Sequence, residues 1–481
     1  MSYKKFTKDI GLLGLAQIIA AISGILTLPV ITKLLGAENY GIWTQLMVTI
    51  GVIMPVALLG LPYTLVIFLA GKKNEEEIQD GIWSVFTIIF GASLIISSLL
   101  LIFSNPISHF FSCPRIFVQI LAVVIIFDYL NLVLSHVFRM FQQIKEYCFF
   151  GIFQTLGETL LIILSVVLGY GLFGAILSFL IIRILAFLAM GTLVIKRVGI
   201  RIPRFLRIKE YLSFSLPTIP GDISSWVIQS SDKYLIGFFL GTLFVGYYAP
   251  AYTLGSCLAF FIAPLSFILP AKLSEHHNTN EIDEVKNYLK HSLKYFLAVA
   301  IPSFFGLSIL SKQILTIFST TEIANNSYGI VPLVAFSTLI SGAYVVIAQA
   351  LSLKKKTSIS GLIWVAAALL NLGGNFIFIP RFGIMGAAIT TLLAYALAFA
   401  LTWYFSLKAI KFEVEWNFIV KSALASIIMA SFIFLFNPLG WLRTFIAIVI
   451  GAGLYFFLMV LLKGFEKKEL TLLRGIFTRE N

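Results

Sequence analysis

Charge is scarce in this chain. Only 12% of its 481 residues are Asp, Glu, Lys or Arg, while 59% are hydrophobic and the mean hydropathy is +0.97. A soluble domain of this size does not have such a composition. Apolar runs of about twenty residues recur along the whole length and do not alternate with period two, as strands would. The sequence therefore predicts an all-α polytopic membrane protein.

Cysteine and histidine are also few. Cys113, Cys148 and Cys257 are scattered and odd in number, which argues against both a disulfide framework and a metal cluster, and the five histidines show no ligand spacing. The chain has no G-x-x-x-x-G-K, G-x-S-x-G, H-E-x-x-H or D-x-D motif. We therefore expect no enzyme and no cofactor. A membrane-embedded glycosyl-transferring enzyme is the alternative, although such enzymes usually carry a large outer loop, which this chain lacks.

The apolar runs predict about fourteen transmembrane helices. Their ranges are 10–35, 42–69, 81–104, 116–140, 147–169, 172–195, 211–240, 244–270, 291–318, 330–353, 358–379, 384–407, 418–436 and 443–462. An even number of helices puts both termini on the same side of the membrane. The loops between them are short, so no separate soluble domain is expected.

The basic residues predict the orientation. If the amino terminus is cytoplasmic, 28 of the 35 Lys and Arg residues lie in inner segments. Cytoplasmic loops carry this excess in membrane proteins, so the net charge of +13 predicts topology rather than nucleic-acid binding. We therefore expect a multi-pass protein of the inner, or cytoplasmic, membrane with both termini cytoplasmic. The basic loop Lys196–Lys209 is interpreted as an orientation signal and an anchor for anionic lipids.

Two pairs of glycine-containing passages indicate an internal repeat. LLGAENYGIW (34–43) resembles FLGTLFVGYY (239–248), with the glycines offset by 205 residues. YGLFGA (170–175) resembles FGIMGA (382–387), with the glycines offset by 212 residues. Short glycine turns also recur by chance in helical hairpins. Two matches in the same order at nearly the same offset favour duplication.

The repeat predicts two parallel six-helix lobes followed by an extra helix pair. The predicted boundaries are 1–200 for the N-lobe with helices 1–6, 201–410 for the C-lobe with helices 7–12, and 411–481 for helices 13–14 and a cytoplasmic tail. Two-lobe transporters place their substrate site between such halves. The repeat therefore favours a transporter.

Several polar side chains lie inside predicted spans, where a charge costs at least about 2.5 kcal/mol. Helix 7 carries Asp222, Trp226, Gln229 and Lys233 on one face, and Pro217 and Pro220 are expected to bend its inner end. Asp232 and Lys233 are about 100° apart on the helix and are not expected to pair with each other. The other polar residues inside spans are Asp128, Asn131, Glu158, Arg183, Asn371 and Asn375.

These residues have two interpretations. They line a wet cavity, or they pair within the protein: Glu158 and Arg183 could simply pin helix 5 to helix 6. Asp222 lies near the inner end of helix 7, where it could mark only the start of the helix.

The segments LPVITKLLGAENYGIW (28–43), RMFQQIKEY (139–147), YGLFGA (170–175) and SDKYLIGFFLGTLFVGYYAPAYTL (231–254) together carry a family resemblance. They resemble the Wzx-type flippases of polysaccharide repeat units, in the multidrug/oligosaccharidyl-lipid/polysaccharide exporter superfamily. The family's Asp-basic pair in helix 7 corresponds to Asp232 and Lys233, and its basic residue at the end of helix 4 to Arg139. The resemblance extends over nearly the whole chain.

The resemblance implies movement of a polyprenyl-pyrophosphate-linked oligosaccharide to the outer leaflet by alternating access, for O-antigen or another surface polysaccharide. Membrane lipids are expected partners, with a polysaccharide polymerase and chain-length proteins in the same pathway. The candidate pyrophosphate ligands are Lys233, Arg183 and Arg139, and the candidate sugar ligands are Gln229, Trp226, Tyr252, Asn371 and Asn375. The acids Asp128, Glu158, Asp222 and Asp232 leave room for coupling to H⁺ or Na⁺. A cation-coupled multidrug antiporter and a lipid II flippase remain alternatives.

Overall fold

The computed structural model describes residues 3–465, and within them the chain is helical, without a strand. This confirms the all-α class. The end of the predicted cytoplasmic tail, with Lys467, Lys468, Arg474 and Arg479, lies outside the described residues. The chain forms two compact units: unit 1 is Met1–Gly246 and unit 2 is Tyr247–Asn481. The repeat-based lobe boundaries are a separate statement about the sequence and stay a prediction.

Nine α-helices lie wholly within the described part of unit 1. They are α1 Tyr3–Leu58, α2 Leu61–Leu69, α3 Glu75–Ile102, α4 Ser104–Phe110, α5 Arg115–Met140, α6 Ile144–Val167, α7 Gly171–Val198, α8 Ile208–Ser215 and α9 Ile219–Leu240. The most buried candidate span is α5, which packs against both α3 and α7. Its polar residues Asn131 and His136 are therefore buried in the interior of this unit.

The remaining helices begin with one that crosses the boundary between the units. They are α10 Thr242–Ser256, α11 Ala263–Asn278, α12 Ile282–Ile309, α13 Ser311–Phe318, α14 Thr321–Ser327, α15 Ile330–Leu353, α16 Thr357–Phe382, α17 Ile384–Ala409, α18 Trp416–Phe436 and α19 Trp441–Leu461. In unit 2, α15 packs against α12 and α17, and α18 packs against α12 and α19. The predicted helices 13 and 14 correspond to α18 and α19, and both contact α12.

Among the described residues, eleven helices are long and apolar enough to cross a membrane. The number becomes twelve if the bent pair Thr242–Phe261 and Ala263–Asn278 counts as one span. One of the eleven, Gly11–Leu58, is 48 residues long, more than twice the roughly 20 residues that one crossing needs. The chain is thus a multi-pass membrane protein, and the count of fourteen stays a prediction.

Proline and glycine set the breaks between helical segments. A 3-10 turn at Leu216–Thr218 separates α8 from α9, as Pro217 and Pro220 predict. The predicted helix 291–318 instead begins at Ile282 and is broken before Ser311. The expected break after residue 35 is a kink rather than a loop: two helical segments of α1 meet at Gly36, whose backbone is not helical.

The glycines of the sequence repeat share backbone conformations. Gly36 has φ 83° and ψ 174°, and its match Gly241 has φ 97° and ψ 166°. Gly171 and its match Gly383 have φ 59° and 61°. A residue with a side chain rarely adopts such positive φ values, so each turn requires glycine. The matched passages therefore share positive φ values at these glycines as well as sequence.

A second matched pair allows two backbones to approach closely. A Cβ on Gly246 would meet the carbonyl oxygen of Ala37, and a Cβ on Gly41 would meet the carbonyl oxygen of Thr242. The obstacles are backbone atoms, which cannot rotate away. Glycine at both positions therefore sets the distance between residues 37–41 and the start of α10.

The basic loop between α7 and α8 is fastened to the start of α3. Asp80, which is buried, accepts hydrogen bonds from the backbone N–H groups of Arg204 and Leu206. The indole N–H of Trp83 donates to the carbonyl oxygen of Gly199 at 3.0 Å. Arg207 pairs with Glu77 in α3 at 3.0 Å. The exposed basic side chains of this loop, such as Arg204, therefore extend from an ordered backbone.

We expect Gly246→Ala to destabilise the protein by about 1–3 kcal/mol, because the new methyl group must push two backbones apart. Thermal unfolding of the purified protein in detergent measures the effect. Gly91→Ala in α3 is the matched control, since a Cβ there meets nothing within 4 Å. The control should leave the melting temperature equal or higher, because alanine favours a helix over glycine by about 0.5–1 kcal/mol. Equal melting temperatures for Gly246→Ala and wild type would contradict the close approach.

Candidate functional site

Three helices of unit 1 bring charged side chains together around Arg183. The Nε atom of Arg183, in α7, is 2.8 Å from the carboxylate of Asp128 in α5. One of its terminal nitrogens is 2.9 Å from the carboxylate of Glu158 in α6. All three side chains keep 15–21% of their surface exposed. The predicted Glu158–Arg183 pair is therefore present, and Asp128 extends it to a triad.

Neutral partners complete this charge cluster. Arg183 donates to the side-chain oxygen of Gln154 at 2.7 Å, and its guanidinium lies 4.6 Å from the ring centre of Phe179. The amide of Asn131 donates to the backbone oxygen of Arg183 at 2.8 Å. Each helix supplies two of these residues three or four positions apart, so one face of each helix points to the cluster.

The cluster contains one more acid than base. With both carboxylates ionised it carries a net negative charge, which an additional cation or proton would neutralise. An anion reaching Arg183 would have to compete with two carboxylates already in contact with it. The arrangement therefore suits cation or proton binding better than direct contact of Arg183 with a pyrophosphate.

The polar stripe of α9 forms a second cluster. Asp232 is fully buried, and the Nζ atom of Lys233 is 3.3 Å from its carboxylate. The same ammonium donates to the backbone oxygen of Gln229 at 2.8 Å. The expectation that Asp232 and Lys233 would not pair is wrong. The carboxylate accepts from the backbone N–H of Lys233, and the long lysine side chain curls back to reach it.

Aromatic and amide groups lie along the same helix. The ring of Trp226 is 5.9 Å from that of Tyr234, whose hydroxyl donates to Thr49 at 2.5 Å. The Gln229 side chain is exposed. Its amide donates a hydrogen bond to the hydroxyl of Ser225, one turn earlier, at 2.9 Å. Asp222 lies exposed in the first turn. Polar groups are therefore available over the length of α9.

Arg139 and Tyr252, two further sequence-predicted residues, each have their own contacts. Arg139, at the end of α5, contacts His136 at 3.4 Å and lies 5.7 Å from the ring centre of Tyr147. In unit 2, the ring of Tyr252 is 5.7 Å from that of Tyr248.

Asn371 and Asn375 are completely buried in unit 2. Asn375 donates to Asn371 at 3.2 Å, and Asn371 donates to Thr391 of α17 at 3.3 Å. Asn375 also accepts from Thr390. In this conformation the two amides join α16 to α17. Contact of either amide with a sugar stays a prediction.

The sequence interpretation missed a buried lysine. Lys294 has only 1% of its side chain exposed and lies 2.9 Å from Glu415, just before α18. Lys290, one turn earlier, is 3.6 Å from both Glu413 and Glu415. The four-residue lysine spacing and the acids before α18 were visible in the sequence. The predicted helix begins at residue 291, which puts Lys294 at its inner end, whereas α12 begins at Ile282 and holds Lys294 in its fourth turn.

Unit 2 also contains an apolar groove of about 910 Å³ along α12. Its walls come from the 3-10 turn Cys257–Phe261 and from α12, α13, α18 and α19. Among its lining residues are Tyr295, Val299, Pro302, Gly306, Met429, Ile433, Ile448, Ala452, Tyr455 and Phe456. Such a lining suits a hydrocarbon chain.

Solved structures of membrane transporters are similar to this one. The lipid II flippase MurJ in its inward closed conformation gives a TM-score of 0.75 at 18% sequence identity, covering 95% of this chain and 98% of that chain. An inward-facing multidrug resistance MATE family transporter of the MOP superfamily gives 0.68 at 13% identity, covering 84% and 98%. At these identities the likeness shows the fold alone.

Two curated proteins of Haloferax volcanii are similar in sequence. One is named "Probable low-salt glycan biosynthesis flippase Agl15", with 24% identity over 52% of this chain and 52% of its own length. The other is named "Probable flippase AglR", with 29% identity over 36% of each chain. The chain thus spans about half the length, or less, of the curated relatives it matches. The family model described as "Polysaccharide biosynthesis protein" matches residues 30–324, more than half of the chain, and the chain belongs to that family.

Proposed function

We propose that this protein is a flippase that moves a polyprenyl-pyrophosphate-linked oligosaccharide from the cytoplasmic to the outer leaflet by alternating access. Family membership supports a place in polysaccharide biosynthesis, and the names of the Haloferax relatives support the flippase activity. The observation that carries the proposal is the apolar groove, because membrane-spanning helices hold a cavity suited to an isoprenoid tail. A water-soluble drug, the substrate of the alternative antiporter, has no such tail and would not need the groove.

The substrate's polar part needs different chemistry. We assign the pyrophosphate to Lys233, with Arg139 as a second cation, and sugars to Gln229, Trp226 and Tyr252. A pyrophosphate would displace Lys233 from Asp232, exchanging one anionic partner for another. Arg183 is assigned to ion coupling with Asp128 and Glu158, because its guanidinium already pairs with both carboxylates. Asp232 and Asp222 are further candidates for coupling to H⁺ or Na⁺.

The setting of this activity is also a proposal. The distribution of basic residues supports insertion in the cytoplasmic membrane with both termini cytoplasmic. A polysaccharide polymerase and chain-length proteins would act next on the flipped lipid, and they are the expected protein partners. The glycan itself, whether O-antigen, capsule or another surface polysaccharide, is left open.

A leaflet assay tests the function. Purified protein in liposomes with a fluorescent polyprenyl-pyrophosphate oligosaccharide should make the inner-leaflet label reachable by an impermeant reagent. Lys233→Ala should slow this exchange about tenfold, because a buried charge-assisted contact is worth roughly 1.5–3 kcal/mol. Lys312→Ala is the matched control, since the Lys312 side chain contacts only the ring of Tyr328 among the contacts that the structure gives it.

Three outcomes decide between the alternatives. Exchange of oligosaccharide lipids that is slowed about tenfold in Lys233→Ala and unchanged in Lys312→Ala supports the proposal. Exchange restricted to the peptidoglycan precursor would favour a lipid II flippase. No exchange of any lipid, together with gradient-driven uptake of an organic cation, would contradict the proposal and favour a multidrug antiporter.

The groove makes a second prediction. Ala452→Trp places an indole in the groove, whereas Gly453→Trp places the same group on another face of α19, where a Cβ meets nothing within 4 Å. We expect the first variant to exchange lipid about tenfold more slowly, a loss of roughly 1.4 kcal/mol of tail binding. The Gly453 variant should exchange at the wild-type rate. Equal lipid exchange rates for both variants would contradict a role of the groove in binding the tail.

A further inference from the structure

The inner half of α12 presents three different faces. One is apolar and buried in the core of unit 2, and it carries Val285, Leu289, Leu293 and Phe296. A second carries Lys290 and Lys294, which pair with the acids before α18. The third carries Tyr288, His291, Ser292 and Tyr295, at the three- and four-residue steps of one helical face. Neither the core nor the ion pairs account for this third face.

The third face lines a pocket of about 400 Å³ between α11 and α12. The opposite wall comes from α11 and is apolar, with Pro264, Leu265, Ile268 and Leu269. Lys272, Glu284 and Asn287 complete the lining. An apolar wall facing a row of aromatic and polar groups resembles the two sides of a sugar ring, which has C–H faces and a hydroxyl edge.

The rings in the pocket are held in place by their neighbours. The Tyr288 ring stacks on His276 with centres 5.1 Å apart, and the Tyr295 ring stacks on His291 with centres 6.0 Å apart. The Nδ1 atom of His291 is buried and has no hydrogen-bond partner among the described residues. A buried nitrogen without a partner carries a desolvation cost, which a hydrogen bond to a ligand hydroxyl would offset.

The charges in the pocket argue against a phosphate. Lys272 is the one Lys or Arg in its described lining, and that ammonium already lies 2.9 Å from Glu275, while Glu284 adds a carboxylate. Carboxylate, amide, imidazole and hydroxyl groups beside tyrosine rings instead match sugar hydroxyls. We infer that this pocket binds a sugar of the lipid-linked substrate on the side predicted to be cytoplasmic.

The inference rests on the proposed function and adds a place for the headgroup. Tyr295 lines both this pocket and the apolar groove, so the two are contiguous along α12. The pocket lies toward the amino-terminal end of α12, and the groove follows the rest of the helix. A lipid with its tail in the groove would therefore have a sugar within reach of Tyr288 and His291 at a stage before its pyrophosphate binds Lys233.

Equilibrium binding in nanodiscs tests the inference with two probes. One is the lipid-linked oligosaccharide extracted from cells that make this protein, and the other is bare polyprenyl diphosphate. Wild type should prefer the glycosylated lipid. Tyr288→Ala and His291→Ala should each reduce this preference about tenfold, because each removes a stacking or hydrogen-bonding partner of the sugar. Binding of the bare diphosphate should not change.

Two further variants keep the test specific. Tyr288→Phe retains the ring and should retain most of the preference. Tyr404→Ala, which removes an exposed tyrosine of α17 outside the pocket, should retain all of it. Unchanged preference in the alanine variants, or equal weakening of both lipids, would overturn the inference. If wild type exchanges lipid between leaflets in that case, the proposed function stands, whereas a wild type that neither binds nor exchanges the lipid fails both.

Discussion

An arginine held between two carboxylates inside a bundle of apolar helices is the contact on which unit 1 depends. Asp128, Glu158 and Arg183 come from three different helices, and none of these charges would be stable in hydrocarbon without the others. The contact therefore fixes how α5, α6 and α7 face one another. Because it contains an unequal number of acids and bases, it is also a place where an ion or proton changes the local charge.

The same requirement shapes the other buried charges. Asp232 and Lys233 satisfy each other within α9, and Lys294 is matched by Glu415 in unit 2. The difference between them lies in what each pair can do. Lys294 joins α12 to the start of α18, beside the groove, so its role is positional. Lys233 lies in α9 beside Gln229 and Trp226, so we propose that it binds substrate.

Much of the fold followed from the sequence because apolar runs and breakers are local signals. Pro217 marked the break before α9, for example. What the sequence did not reveal depended on side-chain reach and on distant contacts. Asp232 pairs with Lys233 because the long lysine side chain is flexible. The angle of about 100° between neighbouring residues on a helix does not take this reach into account. The burial of Lys294 follows from Glu415, over a hundred residues later. The pocket was also not predicted. The start of α12 is charged, so the sequence pattern did not indicate a helix there.

Whether the Arg183 cluster couples transport to an ion is the most direct test of the account. Liposomes with an imposed H⁺ or Na⁺ gradient should show wild-type protein driving the lipid-linked oligosaccharide toward one leaflet. Glu158→Gln should still equilibrate the lipid but should lose the effect of the gradient, because the site can no longer gain or release the charge. Glu413→Gln, an exposed acid before α18, is the matched control and should behave as wild type. A Glu158→Gln protein that keeps its full gradient dependence would contradict the account and leave the cluster as a structural pin.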